Sequence, residues 1–173
     1  MTTGLVFHEI YLWHHTGNHA NYVPYGNPVE PLQHIEGPET KRRVKNLMEV
    51  TGLMDSLKPI KPRPATKEEI LRFHTENYFE RVKENNDKIS TDFGVSAPTG
   101  TGSFDIALLS AGGVIEAFDA VITGKVKNAY ALVRPPGHHA MPDLAMGFCI
   151  FGNAAIAGLH ALEKTSVEKI AYV

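Results

Sequence analysis

Cysteine is almost absent from this sequence of 173 residues, since Cys149 is the only one. A single cysteine cannot form an intrachain disulfide, which favours a reducing compartment and predicts a cytoplasmic protein. The N-terminal residues lack the basic region and long apolar run of a signal peptide. No run approaches the ~20 apolar residues that a membrane helix needs. We therefore expect neither a membrane anchor nor a membrane partner.

An excess of positive charge is also missing. The 17 Lys and Arg residues are balanced by 19 Asp and Glu residues, and the formal net charge is -2. The only dense basic cluster covers residues 40–45, where a solvated helix face is the simplest interpretation. We therefore expect no nucleic-acid partner. The length is enough for one domain with a real core. Because the sequence stops on an apolar run without a following loop, we expect residues 1–173 to be the N-terminal portion of a single larger α/β domain.

Short apolar runs alternate with helical patterns along the chain. The patterns predict strands at 4–8, 128–133 and 169–173, and helices at about 38–51, 66–74, 75–85, 104–122 and 151–164. Thr66 and Glu69 form a capping-box signature. Gly112 and Gly113 interrupt the longest helix, which predicts close approach to another backbone. The order of strands and helices in the second half indicates a βαβ unit and a parallel sheet.

Three connecting segments lack a clear period. Residues 9–37 form a long aromatic- and histidine-rich stretch, which is typical of a functional loop or of an interface between identical subunits. The prolines of residues 57–65 predict an extended segment. Residues 90–103 read as a polar loop with glycine and proline.

Two adjacent histidines, His138 and His139, follow the predicted strand 128–133 in the stretch RPPGHHA. Ligand and catalytic groups lie at the carboxyl ends of strands in open α/β sheets. The Pro-Pro-Gly bend makes the loop stiff, and imidazoles exchange protons near neutral pH. We interpret the pair as proton-transfer residues rather than as structural or surface histidines. Extended neighbours would point in different directions and need not bind one metal.

The residues that follow the pair allow more than one interpretation. Phe148 could be a wall beside a polar site, suited to an aliphatic substrate, or an ordinary core residue. Cys149 lies in the apolar run FCIF without an adjacent base, which predicts a buried, inert thiol rather than a nucleophile.

The other histidines are weaker candidates. His14, His15 and His19 have spacings that could suit a metal, but no cysteine or carboxylate lies between them, so we do not expect a metal site there. His74 ends a predicted helix, where a partly charged imidazole would be stabilised by the helix dipole; this predicts a structural role.

The stretch ALVRPPGHHAMPDLAMGFCIFGNAAIA resembles the histidine loop of the arginase-like histone deacetylases and acetylpolyamine amidohydrolases, and is most similar to bacterial class II-like members. PETKRRV, ILRFHTENYFERV and LSAGG resemble further landmarks of this family. The resemblance implies a three-layer α/β fold with a mostly parallel central sheet flanked by helices. It also implies a zinc-dependent amidohydrolase whose substrate is an acylated lysine or an acetylpolyamine.

The resemblance carries roles onto the matching positions of this sequence. His139 would be the general base that activates the zinc-bound water, and His138 would be a positively charged or proton-sharing partner that stabilises the transition state. Phe148 would form one wall of the acyl-lysine tunnel, and the Gly147 carbonyl would accept from the substrate amide.

Two further residues match less central parts of the family pattern. Arg43 corresponds to an arginine near an internal acetate cavity. Asp92 corresponds to an aspartate at the rim of the site that binds the substrate backbone.

The zinc ligands of this family are not in these 173 residues. The resemblance places an Asp-x-His pair, a later aspartate and a catalytic tyrosine after Val173. We therefore expect no metal ligand within the sequence, Zn²⁺ in a longer complete enzyme, and K⁺ as a second cation there. The alternative is a catalytically incompetent fragment or an interaction module that lacks the zinc ligands.

Overall fold

The computed structural model describes residues 2–17, 28, 30, 32–88 and 91–173. Its strands are β1 (Thr3–Val6), β2 (Leu57–Ile60), β3 (Thr91–Asp92), β4 (Gly94–Val95), β5 (Pro98–Thr99), β6 (Asn128–Ala131) and β7 (Ala145–Met146). Its α-helices are α1 (Glu39–Val50), α2 (Lys67–Leu71), α3 (Glu76–Glu84), α4 (Ser103–Ile122) and α5 (Asn153–Lys164). Two 3₁₀ helices lie at Glu9–Trp13 and Leu53–Ser56.

The central sheet has three parallel strands in the order β2–β1–β6. Thr3 of β1 is in register with Leu57 of β2 on one side and with Asn128 of β6 on the other. The predicted parallel sheet is therefore confirmed. Because parallel strands end at the same edge, the segment after β6 leaves the sheet where α/β folds place their ligands.

Successive residues of β1 face opposite layers. Leu5 packs in a cluster with Met48 of α1. On the other side, a Cβ added to Gly113 of α4 would lie 3.0 Å from Val6 Cγ1. The sheet is therefore covered by α1 on one face and by α4 on the other, which confirms the three-layer α/β fold.

The main core lies between α4 and the helices α3 and α5. Gly112 is required there, because a Cβ would collide with the Arg63 carbonyl and the Ala65 amide; the predicted close approach of another backbone is confirmed. The Thr66–Glu69 capping box is also present. These local signals explain why the helix boundaries follow the predicted ones closely.

Two predicted segments differ from the structure. Residues 169–173 form no strand; instead the Tyr172 hydroxyl donates to the Ala154 carbonyl at 2.7 Å, so this segment lies along α5. A strand needs a partner for its backbone ladder, and no described strand pairs with these residues. The predicted polar loop 90–103 contains the short strands β3, β4 and β5.

The long segment 9–37 is only partly described. Residues 18–27, 29 and 31 of it lie outside the described residues, so the predicted subunit interface there stays a prediction. Within the described ranges, no helix has the length and apolar character required to span a bilayer.

Candidate active site

The histidine loop begins where β6 ends. Leu132 continues the pairing with β1 by donating its N–H to the Val6 carbonyl at 2.9 Å, and the chain then bends at Pro135. His138 and His139 lie in a turn, both exposed, with ring centroids 4.2 Å apart and planes inclined by 58°. The rings are thus neighbours in space, unlike the side chains of two extended residues. Two imidazoles at one point can divide proton transfer between them.

Hydrogen bonds hold the base of this loop. The Ser110 hydroxyl donates to the Pro135 carbonyl at 2.8 Å, and the Asn153 amide donates to the same carbonyl at 3.2 Å. A Cβ on Gly137 would lie only 2.5 Å from the Asn153 nitrogen and 2.6 Å from the Phe151 oxygen. The Pro-Pro-Gly segment therefore packs directly on the start of α5, which gives the stiffness that positioned catalysis needs.

Cys149 links the histidine loop to the following turn. Its buried sulfur accepts from the His139 backbone N–H at 3.4 Å and donates to the Gly147 carbonyl at 3.4 Å. Burial raises the pKa of the Cys149 thiol, which disfavours the nucleophilic thiolate. The prediction of a buried thiol is confirmed, and the second lone pair of the Gly147 carbonyl is left for another donor.

Gly147 and Phe148 form a tight turn beside the histidines. Both have positive φ angles, 53° and 70°, and their N–H groups donate to the Val95 and Ser96 carbonyls at 2.9 and 2.8 Å. A Cβ on Gly147 would lie 2.5 Å from His139 Cδ2, so the imidazole packs on the glycine backbone. Phe148 is half-buried and belongs to neither core cluster. In the described chain Phe148 is therefore not part of the hydrophobic core, and its role as a tunnel wall stays a prediction.

The surroundings of His138 disfavour its charged form. Partial burial and the neighbouring His139 lower the pKa of His138. In the described part of the chain, neither ring forms an ion pair with a carboxylate. The role of His138, as a positively charged or a proton-sharing partner, stays a prediction.

Sequence reasoning missed a buried ion pair at the start of the loop. The side chain of Arg134 is 0% exposed, and its Nε donates to Glu36 Oε2 at 2.9 Å while its Nη2 donates to the Glu36 carbonyl at 2.7 Å. Its Nη1 donates to the His14 carbonyl. The sequence offered one sign of this ion pair, an arginine inside the apolar run ALVRPP. A charge is rarely buried without a partner, so an arginine in a buried run predicts a nearby carboxylate.

This ion pair fastens a second segment against the candidate site. His34 lies two residues before Glu36, and its ring meets Phe148 edge-on with centroids 4.8 Å apart. The Glu36 carboxylate also accepts from Lys41 Nζ at 2.8 Å. Arg134 thereby connects the histidine loop to the residue that supports the outer side of Phe148.

The structure does not bring every predicted residue to this site. Arg43 is exposed on α1 and lies outside the described cluster around the two histidines, so its acetate-cavity role stays a prediction. Asp92 pairs through its backbone with Pro98, and its side chain lies outside the described part of the chain. The rim role of Asp92 therefore stays a prediction.

The remaining histidines do not form a metal centre in the described ranges. His14 is buried and bonded to the Ser103 hydroxyl at 2.9 Å, and burial together with Arg134 holds its pKa well below the ordinary value. His15 is exposed, and His19 lies outside the described residues. No group of three or more His, Cys, Asp or Glu side chains there could hold a metal ion.

His74 has a structural role, but not the predicted one. It follows α2 without capping it as a charged group. Its ring is buried, and burial lowers its pKa to about 4. The predicted interaction of an imidazolium with the helix dipole is therefore wrong, because both ring nitrogens are bonded to backbone groups of a distant loop.

Known proteins resemble this chain in sequence and in fold. The family described as the histone deacetylase domain matches residues 34–173. The chain belongs to the histone deacetylase family. The solved structure of the HDA15 HD domain matches it with a TM-score of 0.82 and 32% identity, over 94% of this chain and 44% of that chain. The resemblance inferred from the histidine loop and the fold class are therefore confirmed.

Deacetylase relatives extend over nearly all of this chain. A histone deacetylase-like amidohydrolase of Pseudomonas aeruginosa is 47% identical over 172 residues, which are 98% of this chain and 45% of that protein. The polyamine deacetylase HDAC10 of Danio rerio is 33% identical over 151 residues, which are 84% of this chain and 22% of that protein. The chain spans less than half the length of these relatives.

Proposed function

We propose that the protein containing this chain is a zinc-dependent amidohydrolase that removes acetyl or related acyl groups from lysine or polyamine amines. The observation that carries the proposal is the exposed His138–His139 pair, with ring centroids 4.2 Å apart, beside Gly147 and Phe148. The names of the amidohydrolase and polyamine deacetylase relatives support this reaction class.

The two histidines would move the proton that amide hydrolysis requires. His139 takes a proton from the attacking water as the C–O bond forms. The C–N bond then breaks, and the departing amine receives a proton from the imidazolium, which leaves a free amine and a carboxylic acid. The lowered pKa of His138 means that this imidazole begins neutral. It shares a proton with the substrate carbonyl oxygen as negative charge develops on that oxygen.

Gly147 and Phe148 would place the substrate. The aliphatic stem of an acyl-lysine or acetylpolyamine packs on the half-buried Phe148 ring, which excludes water from the amide. The amide N–H donates to the Gly147 carbonyl, whose bond to Cys149 leaves one lone pair.

Zinc does not fit the described residues taken alone. A catalytic zinc usually has three protein ligands around an open position, and the described ranges hold no such group. The proposal of Zn²⁺, and of K⁺ as a second cation, therefore rests on the family resemblance alone. The contribution of this chain is proton transfer and substrate positioning.

The test uses the full-length protein with an acetyl-lysine peptide and an acetylpolyamine. We expect His139→Ala to lower kcat by about 10²–10⁴-fold while bound metal, measured by elemental analysis, is unchanged. His8→Ala is the matched control, because His8 is exposed and lies before the first 3₁₀ helix. Normal turnover of His139→Ala would overturn the base assignment. Failure of the metal-loaded wild type on both substrates would overturn the reaction class and favour the interaction module.

A further inference from the structure

His74 binds both ends of the segment that contains Gly147 and Phe148. Its Nδ1 lies 3.1 Å from the Pro142 carbonyl oxygen, and its Nε2 lies 2.9 Å from the Gly152 nitrogen. These partners are 68 and 78 positions away along the chain. One side chain thus closes residues 142–152 into a loop.

The two partners fix the tautomer of the imidazole. The Gly152 N–H can only donate, so Nε2 must present a lone pair; the Pro142 carbonyl can only accept, so Nδ1 must carry the hydrogen. His74 is therefore neutral. Its 3% exposure agrees with this, and burial lowers its pKa to about 4.

The surrounding residues keep this ring in place and grip the same segment. The ring of Tyr78 stacks on His74 with centroids 5.0 Å apart, and its hydroxyl donates to the Ile150 carbonyl at 2.7 Å. The Thr75 N–H donates to the Pro142 carbonyl at 2.9 Å. The junction of α2 and α3 therefore holds residues 142–152 at three carbonyl or amide groups.

The held segment carries the parts of the candidate site that face substrate. Gly147 lies at its middle and packs directly on His139, and Phe148 is the proposed wall. A shift of about 1 Å at such a position can cost roughly 100-fold in rate. A clamp that fixes both ends of the segment would therefore set the geometry between the wall and the base.

We propose that His74 is a positioning residue: as a neutral clamp on Pro142 and Gly152, it holds Gly147 and Phe148 against His139. Its kinetic consequence rests on the proposed deacetylase function, whereas its effect on the loop does not. His74 itself does not act on substrate, because both its nitrogens are occupied by backbone groups.

The first measurement concerns the tautomer in the full-length wild type. Nitrogen NMR of the imidazole should show hydrogen on Nδ1 only and no titration between about pH 5 and 8. A protonated ring or an Nε2–H tautomer at neutral pH would overturn the clamp. This result does not depend on any variant or on activity.

The second measurement compares His74→Phe with Val82→Ala. Phenylalanine keeps an aromatic ring but removes both hydrogen bonds; Val82 is buried on α3 in the same core and its side chain cannot hydrogen-bond. We expect His74→Phe to speed hydrogen exchange of the Gly147 and Phe148 amides by about tenfold or more. We also expect it to lower kcat/KM by about 10–100-fold. Val82→Ala should lower the melting temperature without either change.

The outcomes separate the clamp from the proposed function. Faster amide hydrogen exchange in His74→Phe, together with an inactive wild type, would support the positioning role of His74 and refute the proposed deacetylase function. Equal exchange and equal kcat/KM in the two variants would overturn the clamp. If His74→Phe does not fold, Tyr78→Phe serves instead, since it removes only the bond to Ile150 and should change exchange in the same direction by a smaller factor.

Discussion

Replacing Gly147 by alanine should damage activity far more than stability. Gly147 has a φ of 53°, where a side chain costs about 1–2 kcal/mol. The new Cβ would lie 2.5 Å from His139 Cδ2 and 2.9 Å from its Cγ. Carbon atoms in contact stay about 3.5–4.0 Å apart, so the imidazole must move by about 1 Å. His139 is exposed and can turn away into solvent without disturbing the core.

The expected result is a loss of roughly 100-fold in kcat/KM, because the proposed base leaves its working position. The assay is hydrolysis of an acetyl-lysine peptide, measured beside urea unfolding of the same preparation. Gly102→Ala is the matched control: its φ is 81°, but nothing lies within 4 Å of the added Cβ. It should show the same small loss of stability and normal activity. Wild-type kcat/KM in Gly147→Ala, or an equal loss in Gly102→Ala, would refute the contact with His139.

The elements that the sequence predicted well are those encoded by neighbouring residues. The Thr66–Glu69 box sets the start of α2 through contacts three residues apart. The apolar repeat of residues 104–122 needs only the helical period, and the structure has α4 over Ser103–Ile122. Gly112 predicted the close approach of another backbone because glycine costs about 1 kcal/mol relative to alanine in a helix interior, so its presence there indicates that a side chain would not fit.

The failures concern properties that depend on distant partners. Residues 169–173 have a strand-like composition, but the described chain gives their backbone no ladder partner. Arg134 lies in an apolar run next to the histidine loop, and only the fold shows that it is buried against Glu36. Burial of a charge depends on where its counter-charge arrives, 98 positions away in this pair.

The sequence predicted the residues of the histidine motif but not the distant residues that hold this motif in place. His138, His139 and Gly147 lie within one local motif, and the structure packs the two rings together and Gly147 against His139; the wall role of Phe148 stays a prediction. The clamp at His74 joins residues 68 and 78 positions apart, so no local pattern could reveal that both its nitrogens bind the same loop. Local chemistry is read from the motif, whereas the groups that fix its geometry come from the tertiary fold.

Three further changes test separate parts of this structure. Phe148→Ala should lower kcat/KM with only a modest shift in melting temperature, because the ring is half-buried; a stability loss of the ~3–5 kcal/mol typical of core phenylalanine, with normal kinetics, would show that it is core. Glu36→Gln should lower the free energy of unfolding by up to about 3–5 kcal/mol, because it leaves Arg134 buried without a counter-charge; the exposed Glu39→Gln should change it little. The last change is acid. His74 has a folded pKa of about 4, below an unfolded value of about 6.5, so the unfolded chain binds more protons between these values. The contribution of His74 to stability is therefore complete above pH 6.5, and it is lost as the pH falls from about 6.5 through about 4, by roughly 3 kcal/mol in all. Urea unfolding of wild type and His74→Phe across this range should show a shallower pH slope for the variant, since the other histidines are common to both. Parallel curves would mean that His74 is not held neutral by its burial.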